Sequence, residues 1–505
     1  MAGIAVIGAG MGAMAAAARL AVAGHRVAVF ERDATYGGAL RRFARDGFAF
    51  DTGPGLLHLP AVYRDLFLKT GREPLESCVA LTQVDPASRH VFADGTSVAL
   101  PNASRAGVLA ALDEALGAGA GERWSDLVGR AREAWDATRR PLLEEPLWAD
   151  WRVLGRDPYP AVRRRGLFGR GKGPTTATLA EVARRELADP RLIALLESHA
   201  LAYGFDPRGA PASAAVLPYM EQTFGSWYVG GGMRALADAL YERCRARRVE
   251  FAFGAEVTRI VEKDGRAAGV ELADGRLAEA EWVVAGVDPV QLPGLCAGRD
   301  PWGADAVRPD PGPGDRATAR LTVCLALRGA RPQEAVHRTV VHAPDRAAEL
   351  AGVFGDGYGL REPCARPTVT VLRPDDPATR PDDGHEAVTL TATVAPHGPV
   401  DWYDAEALAD EADRLTDVAE AAVPGLRERV LWREIVPPTE SGLVPGPALA
   451  GQEGRFLRPG NRTAIPGLYA VGGWSHPGGG PAHAGMSGAI VAGLIVNGDD
   501  WHGST

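Results

Sequence analysis

Residues 4–7 are an unbroken apolar run, IAVI, that ends in the turn Gly8-Ala9-Gly10. The alanine-rich stretch Met11–Ala23 follows with helical patterning, Gly24 closes it, and Arg26–Glu31 (RVAVFE) reads as a second strand. The chain therefore opens with a βαβ unit. Residues 37–57 are punctuated by glycine and predict only a short strand at Phe48–Phe50. From about 60 to 225 the patterns are mainly helical, at Ala61–Thr70, Arg105–Leu116, Trp124–Arg139, Leu179–Leu187 and Pro190–Ala202. A helix is predicted over Met233–Arg247. A meander follows it, with strands Glu256–Glu262, Ala267–Leu272 and Arg276–Val284 turned by Asp264-Gly265 and Asp274-Gly275. Residues 298–315, rich in Pro, Gly and Asp, read as a linker. Alternation at 317–327, 367–372 and 387–395 predicts a second, largely antiparallel sheet, with a helix near 404–421. At the far end Leu468–Val471 is a strand, Gly472-Gly473 opens a glycine-rich loop, and a small-residue helix starts near His483.

The glycine turn carries chemistry. Gly8 and Gly10 let main chain approach a pyrophosphate, and the helix N-terminus beyond them offers unpaired N–H groups and a positive dipole. Gly12 and Ala13 complete the small-residue pattern. Glu31, twenty-three residues after Gly8, sits where a carboxylate accepts hydrogen bonds from an adenosine ribose and repels an extra phosphate. Arg32 stands beside it. This motif alone does not separate FAD from NAD. The later segments favour FAD: Gly37-Gly38 follows the acid, Asp51-Thr-Gly-Pro54 follows the short strand, and the last helix is poor in side chains. Its Ala484, Gly485, Ser487 and Gly488 would let a flavin ring lie against main chain, with the helix dipole opposing charge on the reduced ring.

Those observations imply an α/β fold: a Rossmann-type FAD-binding domain from pieces 1–75, 225–298 and 440–505. A discontinuous α+β substrate domain occupies the intervals, helical at 76–224 and sheet-like at 299–439. A chain of 505 residues has room for both cores. The net charge of −9 excludes the basic footprint of a general nucleic-acid binder. Five cysteines show neither close pairing nor metal-ligand spacing, which predicts reduced thiols, no metal site and a cytoplasmic protein. No signal peptide is expected ahead of the first strand. The excess of Arg, Ala and Gly over three lysines points to a bacterial source. Residues 139–172 hold nine basic and four acidic positions among Trp148, Trp151, Tyr159, Leu167 and Phe168. The stretch reads as a solvated connection or as a peripheral contact with the inner face of an anionic membrane.

Four separated motifs together resemble the phytoene desaturase-like (carotenoid desaturase) family of FAD-dependent oxidoreductases, within the amine-oxidase-like flavoproteins. They are GAGMGAMAAAARLAVAGHRVAVFE at the start, GFAFDTGP at 47–54, WYVGGGMRALADAL at 227–240 and FLRPGNRTAIPGLYAVGGWSHPGGG at 456–480. The resemblance implies non-covalent FAD, with Val257 pairing the adenine through its backbone and Gly53 and Pro54 near the flavin. It also implies Gly473 along the ribityl–pyrophosphate stretch, and Gly485 and Met486 at the N1 edge of the ring. Two departures stand out. Ala39 replaces the family's usual basic residue after Gly38, leaving Arg41 or Arg42 to compensate. Pro481-Ala482-His483 replaces the usual Val/Pro-Gly, which counts against a carotenoid substrate.

The chemistry implied is desaturation or dehydrogenation of an apolar or natural-product-like small molecule: hydride to flavin N5, a proton from the neighbouring carbon, and oxygen or a quinone as electron acceptor. His483 is the expected proton acceptor, with helix capping as its alternative, and His476 orders the loop. Trp227, Tyr228 and Trp474 are expected to line the substrate pocket or to pack in the core. A flavin amine oxidase commonly places a lysine near N5, and Lys69, Lys172 and Lys263 are poorly placed for it. A redox-neutral polyene isomerase and a non-catalytic lipid-binding escort remain open. The oligomeric state is not readable.

Overall fold

The computed structural model describes residues 2–160, 177–308, 318–356, 358–441, 444–498 and 500–503. Five strands make a parallel sheet in the order Leu468–Ala470, Trp282–Ala285, Gly3–Ile7, Arg26–Glu31 and Glu250–Phe253. The apolar opening strand is its centre, flanked at Ile7 by Ala285 and Phe30. A strand buried on both faces reads as a continuous apolar run, which is why residues 4–7 do not alternate.

Helices Met11–Val22, Met233–Ala246 and Pro481–Asn497 cover one face, sharing a core that includes Met14, Leu20, Leu236 and Ile490. The first and last of these helices nearly touch. A Cβ on Gly488 would lie 2.5 Å from the Gly12 carbonyl oxygen and 2.7 Å from the Ala16 nitrogen. The other face carries the meander Val257–Lys263, Arg266–Leu272 and Leu277–Glu279, packed through Ile260 and Val270 onto Ala5 and Ile7. Both distant ends of the chain thus belong to one sheet and one helical layer.

A seven-stranded sheet runs in the order Val430–Val436, Ala319–Arg328, His385–Val394, Val369–Leu372, Arg338–Val341, Ser88–Val91 and Ser97–Leu100. Its pairs are antiparallel except Arg338–Val341 with Ser88–Val91. Helix Ala405–Ala419 backs it through Leu415 and Val418. Helices Arg105–Leu116, Ala120–Arg139, Leu179–Glu186, Pro190–Ala202 and Val216–Phe224 form a separate cluster with its own core.

The segment read as mainly helical also supplies Leu81–Gln83 and the hairpin Ser88–Val91/Ser97–Leu100. These strands are only three or four residues long and carry Ser, Arg and His, so their period-two signal is weak. The expected strand Arg276–Val284 divides. Leu277–Glu279 ends the meander, the chain bends at Ala280-Glu281, and Trp282–Ala285 enters the parallel sheet. The cysteines form no disulfide, and Cys78 alone is exposed. Among the described residues no helix is long and apolar enough to cross a membrane, and no His/Cys/Asp/Glu group is set to hold a metal ion. The basic part of 139–172 from 161 onward, with Lys172, and the linker from 309 lie outside the described residues.

Candidate cofactor and substrate cleft

A cleft of about 1290 Å³ runs from the Gly8 turn to the inner face of the seven-stranded sheet. Gly8, Gly10, Gly12, Ala13, Glu31, Arg32, Gly38, Ala39, Arg41, Gly53, Pro54, Val257, Gly473 and Trp474 all line it. Residues expected from widely separated segments are therefore brought together.

At this end the walls are main chain. Gly8 has φ +85°, and a Cβ on it would lie 3.0 Å from the Gly286 carbonyl oxygen. Gly53 approaches the Ala39 carbonyl so closely that a Cβ would sit 2.0 Å from its oxygen. Gly10 precedes helix Met11–Val22 without a side-chain cap, leaving the first-turn N–H groups for a ligand's oxygens. Glu31 is held in place from behind: Oε2 accepts the Ala9 N–H at 2.7 Å and Oε1 accepts the Asp33 N–H at 2.9 Å. Arg41 donates to Asp33 at 3.1 Å and to the Gly38 carbonyl at 3.3 Å, closing the same rim. A glycine-lined cradle, unpaired helix N–H groups and a fixed carboxylate suit the pyrophosphate and ribose of a dinucleotide.

The C-terminal loop is fastened separately. Asn461 Nδ2 donates to the Ala470 carbonyl (3.1 Å), the His476 carbonyl (2.8 Å) and Ser487 Oγ (3.0 Å), and Ser487 Oγ also accepts the Gly472 N–H at 3.0 Å. The buried His476 donates from Nε2 to the Glu145 carbonyl at 3.0 Å, the loop-ordering role its sequence position predicts.

Five expected residues stand off the cleft wall. Pro481 and Ala484 line it, whereas His483 does not. His483 is buried, and burial followed by the nearby His476 pushes its imidazole down to about 4. Gly485 faces helix Ala61–Gly71, where a Cβ would lie 2.9 Å from Val62 Cγ1. Met486 packs against the helical cluster. Trp227 packs against the core beneath the parallel sheet's helical layer, its Nε1 donating to the Phe224 carbonyl at 2.9 Å. Tyr228 donates to Asp376 at 2.8 Å beside a small neighbouring cavity.

The other end of the cleft holds side chains that no sequence motif marks. His58, His199, Tyr203, Glu221 and Arg338 line it. Arg338 Nη1 lies 3.2 Å from Glu221 Oε2, and its Nη2 donates to Oε1. Burial would raise the Glu221 pKa, but the Arg338 guanidinium outweighs it and holds the carboxyl well below the usual range. Burial keeps His58 and His199 below the ordinary histidine value despite Glu221. Beside them the buried His90 shares a 2.9 Å contact with His342 and a 3.0 Å contact with Ser88 Oγ. A signal for these residues existed. Glu221 is a lone acid following the apolar run Val216–Met220, and His199 and Tyr203 stand four apart on an apolar helix.

The geometry suits a bound dinucleotide, and comparison with known proteins makes the chain an FAD-dependent oxidoreductase. Residues 14–313 match the family of flavin containing amine oxidoreductases. Hydroxyneurosporene desaturase of Cereibacter sphaeroides is 32% identical over 98% of this chain and 97% of its own. The zeta-carotene-forming phytoene desaturase of Myxococcus xanthus is 29% identical over 94% of this chain and 90% of its own. An oxidoreductase from Methanosarcina mazei has the same fold, with a TM-score of 0.62 at 18% identity, covering 97% of this chain and 99% of that one. The chain belongs to the flavin containing amine oxidoreductase family, in its phytoene desaturase-like branch.

Proposed function

We propose that the protein desaturates a polyene, taking two hydrogens from adjacent carbons so that a C=C bond replaces two C–H bonds. The observation that carries this reading is the continuity of the cleft, from the nucleotide cradle to a chamber between sheet and helices. FAD, when bound, would supply the hydride acceptor; the second hydrogen would leave as a proton, and oxygen or a quinone would take up the electrons. The chain's own work is to hold the substrate and keep water from the reacting carbons. Trp474, Leu56, Leu201 and Leu372 supply apolar wall, and burial stabilises a polyene by about 0.8 kcal/mol per CH₂.

Two observations weigh on the alternatives. Lys69 pairs with Asp65 at 3.1 Å and Lys263 ends a meander strand, so among the described residues no lysine lines the cleft, as an amine-oxidase reading would want. Of the unusual Pro481-Ala482-His483 sequence only Pro481 lines the cleft, so the imidazole adds no polar group to the wall a polyene would meet. Anaerobic reduction of the bound flavin tests the proposal across polyenes, apolar cyclic compounds and amines. Bleaching by a polyene with a product two mass units lighter is expected. Bleaching by amines alone, or a product of unchanged mass, overturns it.

A further inference from the structure

The chamber's polar corner is not what a pure hydrocarbon needs. His199 Nδ1 lies 2.9 Å from the Leu195 carbonyl oxygen, so that nitrogen carries the hydrogen. In the neutral ring Nε2 is then a bare acceptor. It faces another acceptor, Glu221 Oε2, at 3.8 Å. Both carboxylate oxygens already take the Arg338 fork, so the Glu221–Arg338 pair is internally neutral and calls for no ionic ligand. Tyr203, four residues beyond His199 at the end of the same helix, shares its face and lines the same cleft. Its phenol has no hydrogen-bond partner among the described residues. One corner therefore presents an unused acceptor and an unused donor, with the Arg320 guanidinium, which donates to the Ala202 carbonyl at 3.2 Å, close to Tyr203.

A hydroxyl matches that pair. Its O–H satisfies a lone-pair nitrogen, and its oxygen accepts from a phenol. A hydrocarbon end would strip water from both groups and return nothing, which a buried polar site penalises. The floor beyond continues the theme: Thr370 and Thr391, register partners on adjacent strands, both line the cleft.

Resting on the polyene reading, we propose that His199 and Tyr203, braced by the Glu221–Arg338 pair, bind a hydroxyl group on the substrate and select for it. Glu221 and Arg338 are positioning residues here. His199 and Tyr203 set specificity.

The test uses three substrates of equal chain length: a polyene alcohol, its O-methyl ether and the parent hydrocarbon. The FAD-loaded enzyme is expected to favour the alcohol over both others by about tenfold or more in kcat/KM, one lost hydrogen bond being worth roughly that factor. The ether keeps the acceptor oxygen and loses the donor, so it isolates His199. In His199→Phe the alcohol-to-ether ratio should fall to about 1, mainly through KM, while flavin content stays that of the wild type. His199→Gln, which restores an acceptor oxygen, should recover part of the ratio. Equal wild-type rates on alcohol, ether and hydrocarbon overturn the hydroxyl site and leave desaturation standing. An unaltered ratio in His199→Phe also overturns it. Failure of all three polyenes to reduce the flavin overturns the functional reading and this inference with it.

Discussion

The two ends of the cleft are built from different materials. Around Gly8, Gly12, Gly53 and Gly473 the wall is main chain, packed so tightly that at Gly12 a Cβ would lie 2.8 Å from the Gly472 Cα. Around His58, His199, Glu221 and Arg338 the wall is side chain, delivered by a loop, two helices and a strand. Main chain recognises what all flavin dinucleotides share, and its geometry changes little when exposed side chains vary. Side chains recognise what distinguishes one substrate from another. Cofactor binding and substrate choice should therefore respond separately to mutation.

The largest effect should come from splitting the buried ion pair. Arg338→Leu leaves Glu221 charged and unpaired in a buried site, which should cost about 3–5 kcal/mol of stability. The double change Glu221→Leu/Arg338→Leu should recover most of it, because a neutral apolar pair has no desolvation debt. Chemical denaturation measures both. FAD affinity of the folded double variant should match the wild type, and a loss of FAD there would show that the two ends are one unit.

At the main-chain end, Gly488→Ala pushes a methyl against the Gly12 carbonyl and should destabilise by about 1–3 kcal/mol while releasing flavin. Loss of yellow colour at unchanged melting temperature would contradict that coupling. Glu31→Gln is milder. It weakens the acceptor for the Ala9 and Asp33 N–H groups and for the ribose, and should reduce FAD affinity about tenfold, read from flavin fluorescence. Unchanged affinity would mean that the Gly8–Ala13 turn alone sets cofactor binding.

The same contrast explains what could be read beforehand. The cradle is written locally: Gly8, Gly10 and Glu31 fall within twenty-four residues, each type required by main-chain approach or by one hydrogen bond. Their convergence with Gly53, Val257 and Gly473 follows once both ends form strands. The polar corner has no such signature. Glu221 and Arg338 are 117 positions apart, and only the register of Arg338–Val341 in its sheet brings them together. His483 shows the limit of positional inference. A helix start aimed at the cleft exposes some first-turn residues to it and buries others. Pro481 and Ala484 fall on the cleft side, and the residue between Ala482 and Ala484 does not.

His483 supplies the smallest test, and its sign is fixed by linkage. Its folded pKa, about 4, lies below the ordinary 6.5, so the unfolded chain binds its proton first as pH falls. Stability from keeping His483 neutral is complete well above pH 6.5 and is lost progressively as pH falls through 6.5 toward 4. At pH 6 the loss is only about 0.8 kcal/mol, growing further on acidification. His483→Gln removes the titration, so the stability difference between pH 8 and pH 6 should shrink by that amount. His476, also lowered to about 4 by burial, would still titrate and keep part of the slope. Anaerobic flavin reduction in the same variant completes the argument. A wild-type rate fits an imidazole buried behind the wall, whereas a marked slowing at full flavin content would restore it as the proton acceptor and bring chemistry back to the main-chain end.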